Sequence, residues 1–234
     1  MRNQPKLLQL AMDNKATPKA FAVKSENGST RIDLYDVIDS YYGVSATDFC
    51  AALNSVKAGD ISLHINSPGG DVFDARAMVA AISAHPSNIT AYVDGLAASA
   101  ASYVAMACDK VVMQDGAMMM IHCAWSISMG NSADMRATAD LLDKIDASIV
   151  NDYARKTGMP ADEITAMMQA ETWLSAQEAV DKGFADEMMT NEKGKTKNTW
   201  NLSAYKNAPI VEKEPEPDYG KEARARMLAL LDRI

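Results

Sequence analysis

Apolar and polar positions alternate along Ile61–Asn66 (ISLHIN), placing Ile61, Leu63 and Ile65 on one face and His64 on the other. That is the pattern of a half-buried strand. It runs into Ser67-Pro68-Gly69-Gly70, strong turn punctuation. The period then changes: over about 72–84, Val72, Ala75, Met78, Val79 and Ile82 share one helical face. Elsewhere, 30–38 (TRIDLYDVI) predicts a strand and 45–57 (SATDFCAALNSVK) a helix capped by Ser45. A strand over about 88–93 (NITAYV) ends at Asp94-Gly95, and the small residues of LAASAASYVAMAC predict a tightly packed helix. DKVVMQ and AMMMIHC are further strands. Met135, Ala139, Leu142, Ile145, Ile149 and Tyr153 predict a long helix over 134–156, and a shorter one follows Pro160. Ser175 and Glu178 stand at capping-box spacing and open a last short helix that stops near Gly183. Strands alternating with helices imply an α/β fold with a largely parallel sheet.

The two ends differ from this body. Residues 1–20 read as a loosely held arm, 21–190 as the folded domain, and 191–234 as a polar linker followed by an amphipathic helix. KGKTKNTW and VEKEPEPDYG carry the linker composition. In KEARARMLALLDRI, Ala223, Met227, Leu230, Leu231 and Ile234 share one side. The 234 residues, 48% hydrophobic and 23% charged, suit one globular domain with a real core. A net charge of −8 lacks the basic footprint of a nucleic-acid binder. No apolar run approaches the roughly 20 residues that span a bilayer, so no membrane partner is expected. The N-terminus, with Gln9 and Asp13 interrupting its apolar patch, makes a poor secretory signal. Cys50, Cys108 and Cys123 form no CxxC pair, an odd and scattered set that fits a reducing cytoplasm.

Chemistry-bearing residues are few. Of the three histidines, His64 lies off the apolar face of its strand, and His85 ends a helix before Pro86. His122 ends an apolar strand, the place where α/β sheets put catalytic groups. The residues alone leave it open between that role and a buried, satisfied histidine. Asp94–Ser102 is a strand-to-helix turn lined with small side chains, which let a substrate approach the Ser99 hydroxyl and aim free N–H groups at it. The plainer reading is a helix-packing seam, with Ser102, one turn on, a packing residue. Gly69 and Gly70 can present bare backbone N–H groups to a substrate carbonyl or a strand-like peptide, or simply make a turn. Cys123 points to the strand face opposite His122, which makes a Cys–His pair a poor one. No metal-ligand spacing occurs, and no cofactor is implied.

Taken in order, INSPGG (65–70), GLAAS (95–99), MMIH (119–122) and ETWLSAQEAVDKGFADEM (171–188) resemble the Clp protease proteolytic subunit family over about residues 30–190. The resemblance implies a ClpP/crotonase-like superhelix of repeated ββα units that assembles into homo-oligomeric rings and cleaves protein or peptide substrates through an acyl-enzyme. It implies Ser99 as nucleophile, His122 as general base, and Gly70 and Ala100 as the oxyanion-hole N–H donors, with Gly69 and Gly70 binding substrate. The third triad position, an aspartate in the family, is Glu171 here, and one extra methylene changes its reach.

GLAASAAS with the following MAC, the insertion HCAWSISMGNSADM, and ETWLSAQEA resemble in particular the Clp-like head maturation proteases of phage capsid-assembly modules. Those trim scaffold and capsid proteins inside the assembling prohead. Other readings stand beside this one. They are a Clp proteolytic subunit working with an ATP-driven unfoldase, a crotonase-type acyl-CoA enzyme, an inactive ring or scaffold component, and a Ser–Lys peptidase using Lys110. MIHC argues against the last, which needs no histidine.

Overall fold

A computed structural model describes residues 6–26, 29–57, 59–190 and 200–209. Strand β1 (Ala20–Glu26) pairs antiparallel with β2 (Ser29–Tyr35), which starts a parallel run. Helix α2 (Ala46–Ser55) leads to β3 (Ile61–Ser67), and α3 (Val72–Ala84) leads to β4 (Ile89–Ala98). After α4 (Ala100–Met106) comes β5 (Lys110–Gln114), and β2-β3-β4-β5-β8 lie in that order in the sheet, β8 being Glu187–Met189. A short helix α1 (Lys6–Asp13) precedes all of these.

Strand β4 changes partner along its length. Thr90–Val93 pair with β5, whereas Leu96–Ala98 pair with β6 (Met118–Ile121). β6 in turn runs antiparallel to β7 (Thr172–Ser175), with Ile121 opposite Thr172. The far half of β4 thus exchanges β5 for β6, while Ala97 stays paired with Ser67 of β3, and carries the next residue, Ser99, to the end of β6. The long α5 (Ser132–Thr157) opens with an Asn131–Asp134 capping box and stops at Gly158, which takes the left-handed conformation that ends helices. α6 (Ala161–Gln169) and α7 (Ala176–Asp181) follow, the latter with the Ser175–Glu178 capping box that the spacing predicts.

Strand β3 alternates buried and half-buried residues as its pattern requires, and His64 stands on the half-buried face. There it stacks on Tyr92 at 4.9 Å, and its Nδ1 lies 2.6 Å from Asp94, which also accepts from the Tyr35 hydroxyl. His85 caps the end of α3, where its Nδ1 accepts from the Ser87 N–H.

Both ends of the chain depart from the sequence expectation. The segment 1–20 includes α1, whose Leu10 is buried, so it is not a loose arm throughout. The expected linker from residue 191 likewise returns to the body at 200–209. Trp200, Leu202 and Tyr205 form a second core with Leu10, Val37, Leu96, Ala98 and Met120. Burial at roughly 1.5–3 kcal/mol per large apolar side chain outweighs the polar neighbours that make this stretch read as linker. Asn14 clasps the two ends: its amide donates to Asn201 O at 2.9 Å and its Oδ1 accepts from Asn201 N at 2.6 Å. The amphipathic helix expected at 221–234 lies outside the described residues. Three strands, β1, β7 and β8, are additions to the predicted set, and β4 continues through Ala98, where a helix is expected from Leu96.

Candidate active site

Ser99 sits between β4 and α4 at φ 54° and ψ −123°, a conformation that favours glycine. Its own N–H donates to Met120 O at 2.8 Å, so the neighbouring β6 holds the turn. Glu171 is the other non-glycine residue at positive φ among those described, at 50°. Strain of this kind persists only where the surroundings over-determine it. Two of the residues singled out from the sequence carry it.

His122 follows directly on β6. Its Nε2 lies 2.7 Å from the Ser99 hydroxyl, a hydrogen bond between groups 23 positions apart in the chain. Ser102, by contrast, is fully buried, donating to Ser99 O at 2.6 Å and meeting the Tyr153 hydroxyl at 2.8 Å, which makes it a packing residue. Lys110 starts β5 and pairs with Glu187 at 2.5 Å.

The Ser67–Gly70 loop passes beside Ser99. A side chain at Gly69 (φ 88°) would come within 2.5 Å of Ala98 O and 2.9 Å of Ser99 Cβ, so only glycine permits this approach. Gly70 is pinned from behind, since Ile38 N donates to Gly69 O at 2.9 Å and Asp71 N to Ile38 O at 2.7 Å. Gly70 and Ala100 both line the cavity that contains Ser99 and His122. Neither of their N–H groups is spent in a backbone hydrogen bond among the described residues. A hydroxyl bonded to an imidazole, with two backbone donors on the same cavity, has the parts for acyl transfer.

That cavity, about 380 Å³, extends from Ser99 between α3 and α5 over Phe73, Trp125, Ile145 and Ile149. Its walls are mainly apolar, the usual make-up of a binding cleft.

Glu171 lies one position beyond the last β6–β7 pair, so the backbone sets it across from His122. Its carboxylate accepts from Asn207 N at 2.7 Å, Lys206 N at 3.2 Å and the Trp173 indole at 3.4 Å. Its carboxylate is thus held by the returning 200–209 segment. The Tyr205 ring stands edge-on to His122 at 5.4 Å. Nothing in the family-like motifs points to Tyr205. The signal available was the spacing of Trp200, Leu202 and Tyr205, three apolar-bodied residues set in a polar stretch.

Comparison with known proteins points to one family. The Clp protease family model matches residues 15–192. An ATP-dependent Clp protease proteolytic subunit of Bacteroides fragilis is 31% identical over 155 residues, covering 65% of this chain and 75% of that one. One from Streptococcus thermophilus is 32% identical over 136 residues, covering 56% and 69%. A solved ClpP1 variant from Listeria monocytogenes superposes with a TM-score of 0.62 at 23% identity, covering 70% of this chain and 92% of that one, a likeness of fold.

Cys123, beside His122 in sequence, packs against the core. Burial first, and then the Asp146 carboxylate next to it, push its thiol up to about 11. Such a thiol is only about one part in a thousand thiolate at pH 8. In a Cys50→Ser variant the rate of Cys123 alkylation by iodoacetamide should therefore still rise about tenfold per pH unit between pH 8 and 10. A plateau near pH 9 would mark an ordinary thiol and return Cys123 as a rival nucleophile.

Proposed function

The chain belongs to the Clp protease family and is a serine peptidase, and on that basis we propose that Ser99 is its nucleophile, with His122 as general base. The observation that carries this is the 2.7 Å contact between Ser99 Oγ and His122 Nε2 at a strained strand-to-helix turn. In the reaction, Ser99 Oγ attacks the scissile carbonyl carbon while its proton passes to His122 Nε2. The N–H groups of Gly70 and Ala100 receive the oxyanion. His122 then returns the proton to the leaving amine, and water releases the acyl group by the same route. Glu171, across from His122 and braced by two backbone N–H groups, takes the carboxylate position that orients the imidazole. Gly69 keeps the loop close enough for a peptide to lie against Gly70.

Ser99→Ala should abolish labelling by a fluorophosphonate, and Glu171→Gln should retain labelling at Ser99 but slow it by at least tenfold. Labelling that survives in Ser99→Ala, or moves to Ser102, refutes the nucleophile. An unchanged rate in Glu171→Gln refutes the orienting role alone.

Within the family, the reading we favour is a phage head maturation protease that trims scaffold or capsid protein in the host cytoplasm or inside the assembling prohead. The support is the resemblance of GLAASAAS, the HCAWSISMGNSADM insertion and ETWLSAQEA, together with a chain that continues past the matched residues 15–192. The second reading, a Clp subunit served by an unfoldase, is favoured by the names of the relatives, which are ATP-dependent proteolytic subunits. The purified chain should cleave a co-assembled scaffold protein without ATP. Cleavage that requires an ATP-driven unfoldase would favour the second reading.

Ring assembly belongs to the same proposal. The first half of α5 stands clear of the core, with Met135 and Leu141 exposed, and Ile127 and Met129 are exposed in the loop before it. Clustered apolar surface of this kind marks an interaction face. Sedimentation at micromolar concentration should show a species several times the 25.3 kDa chain, whereas a monomer alone would refute the ring.

A further inference from the structure

The returning segment reaches the site through one side chain. Tyr205 is buried, with its ring edge-on to His122 at 5.4 Å and to Trp173 at 5.8 Å. Its hydroxyl donates to Pro68 O, the carbonyl that leads into Gly69 and Gly70. Tyr205 stands behind Ser99 and His122, not among the residues that line the cavity, so it does not meet the substrate.

The two halves of the site come from different strand ends. Ser99 follows β4, whereas the Gly70 N–H follows β3. The β3–β4 ladder is irregular where they part, shifting register between Ile65 and Ser67. Strand pairing alone therefore does not set the distance from the serine oxygen to the Gly70 N–H. Tyr205 spans the gap, with its hydroxyl on the Pro68 carbonyl and its ring against His122, the partner of the Ser99 hydroxyl.

We propose that Tyr205 is a positioning residue of the active site, whose hydroxyl holds the Pro68–Gly70 loop in register with the Ser99–His122 pair against which its ring packs. The segment that delivers it is anchored for the purpose. The Trp200 indole donates to Asn66 Oδ1 at 3.1 Å, just ahead of the same loop. The N–H groups of Lys206 and Asn207 hold Glu171 from the other side. Three positions of the site are thus tied to ten residues that lie beyond the matched family region. Burial also pushes the phenol well above its ordinary value, so it remains a protonated donor throughout the neutral range.

The proposal rests on Ser99 as the nucleophile, and its test separates the two. In the full-length protein, Tyr205→Phe removes the hydroxyl and keeps the ring. Active sites are first counted by fluorophosphonate titration, so that rates refer to reactive serine alone. We expect kcat for a peptide ester to fall about tenfold, the worth of one well-placed hydrogen bond, with KM within twofold of the parent. A merely structural role would lower the melting temperature or the number of active sites and leave kcat per site unchanged, and that result overturns the proposal. A second variant carries 2,3-difluorotyrosine at position 205, which keeps the shape but ionises at lower pH. Its kcat should fall at an alkaline pH where the parent is still fully active, because the phenolate cannot donate to Pro68. An alkaline limit matching the parent's also overturns the proposal. If the parent itself is not labelled at Ser99, the nucleophile assignment fails instead, and Tyr205 has no serine to position.

Discussion

The whole site depends on where β4 spends its hydrogen bonds. A strand that stayed with β5 to its end would deliver Ser99 to the middle of the main sheet's edge. Because Leu96–Ala98 pair with β6 instead, the strand ends beside His122, the residue that follows β6. The Ser99 N–H then donates to Met120 O, and the chain must pass through positive φ to enter α4. Each of these steps requires small side chains. Ala97, Ala98, Ala100 and Ala101 are all buried, and the Gly69 loop passes within a Cβ's width of Ser99. The alanine-rich run is therefore the consequence of one crowded crossing, where three strands, a helix start and a loop meet.

Much of this was legible in the residues. The alternation in ISLHIN, the helical face from Val72 to Ile82 and the Ser175–Glu178 capping box rest on local physics, and all three elements occur as expected. Ser99 and His122 were left open by the residues alone, and only the order of four motifs resembling the Clp protease subunit singled them out. The short strands β7 and β8 were hidden for a physical reason. Four and three residues long, they owe their form to partners far away in the chain and offer no period of their own. The returning segment was misread on composition, because its burial falls on Trp200, Leu202 and Tyr205 among polar neighbours.

Glu171 shows how a local substitution can carry a distant requirement. As a longer residue in a position that the family fills with aspartate, it looks from the sequence like a change of reach toward His122. In the folded chain its carboxylate also receives two backbone N–H groups from Lys206 and Asn207. Such donors stabilise a carboxylate without adding a competing charge beside the imidazole. The left-handed backbone at Glu171 turns the side chain into this position.

The clasp between Asn14 and Asn201 has a consequence in time as well as in space. Protein chains fold from the N-terminus as they are synthesised. By residue 190 the nascent chain already contains Ser99, His122 and the Gly69–Gly70 loop, and α1 has been made with nothing to hold on its far side. The residues that close over them, Trp200 to Asn207, come after the rest of the described structure. A peptidase arranged in this way makes its bracing after the groups it braces, so the order of synthesis delays the completed site until residues 200–207 have emerged.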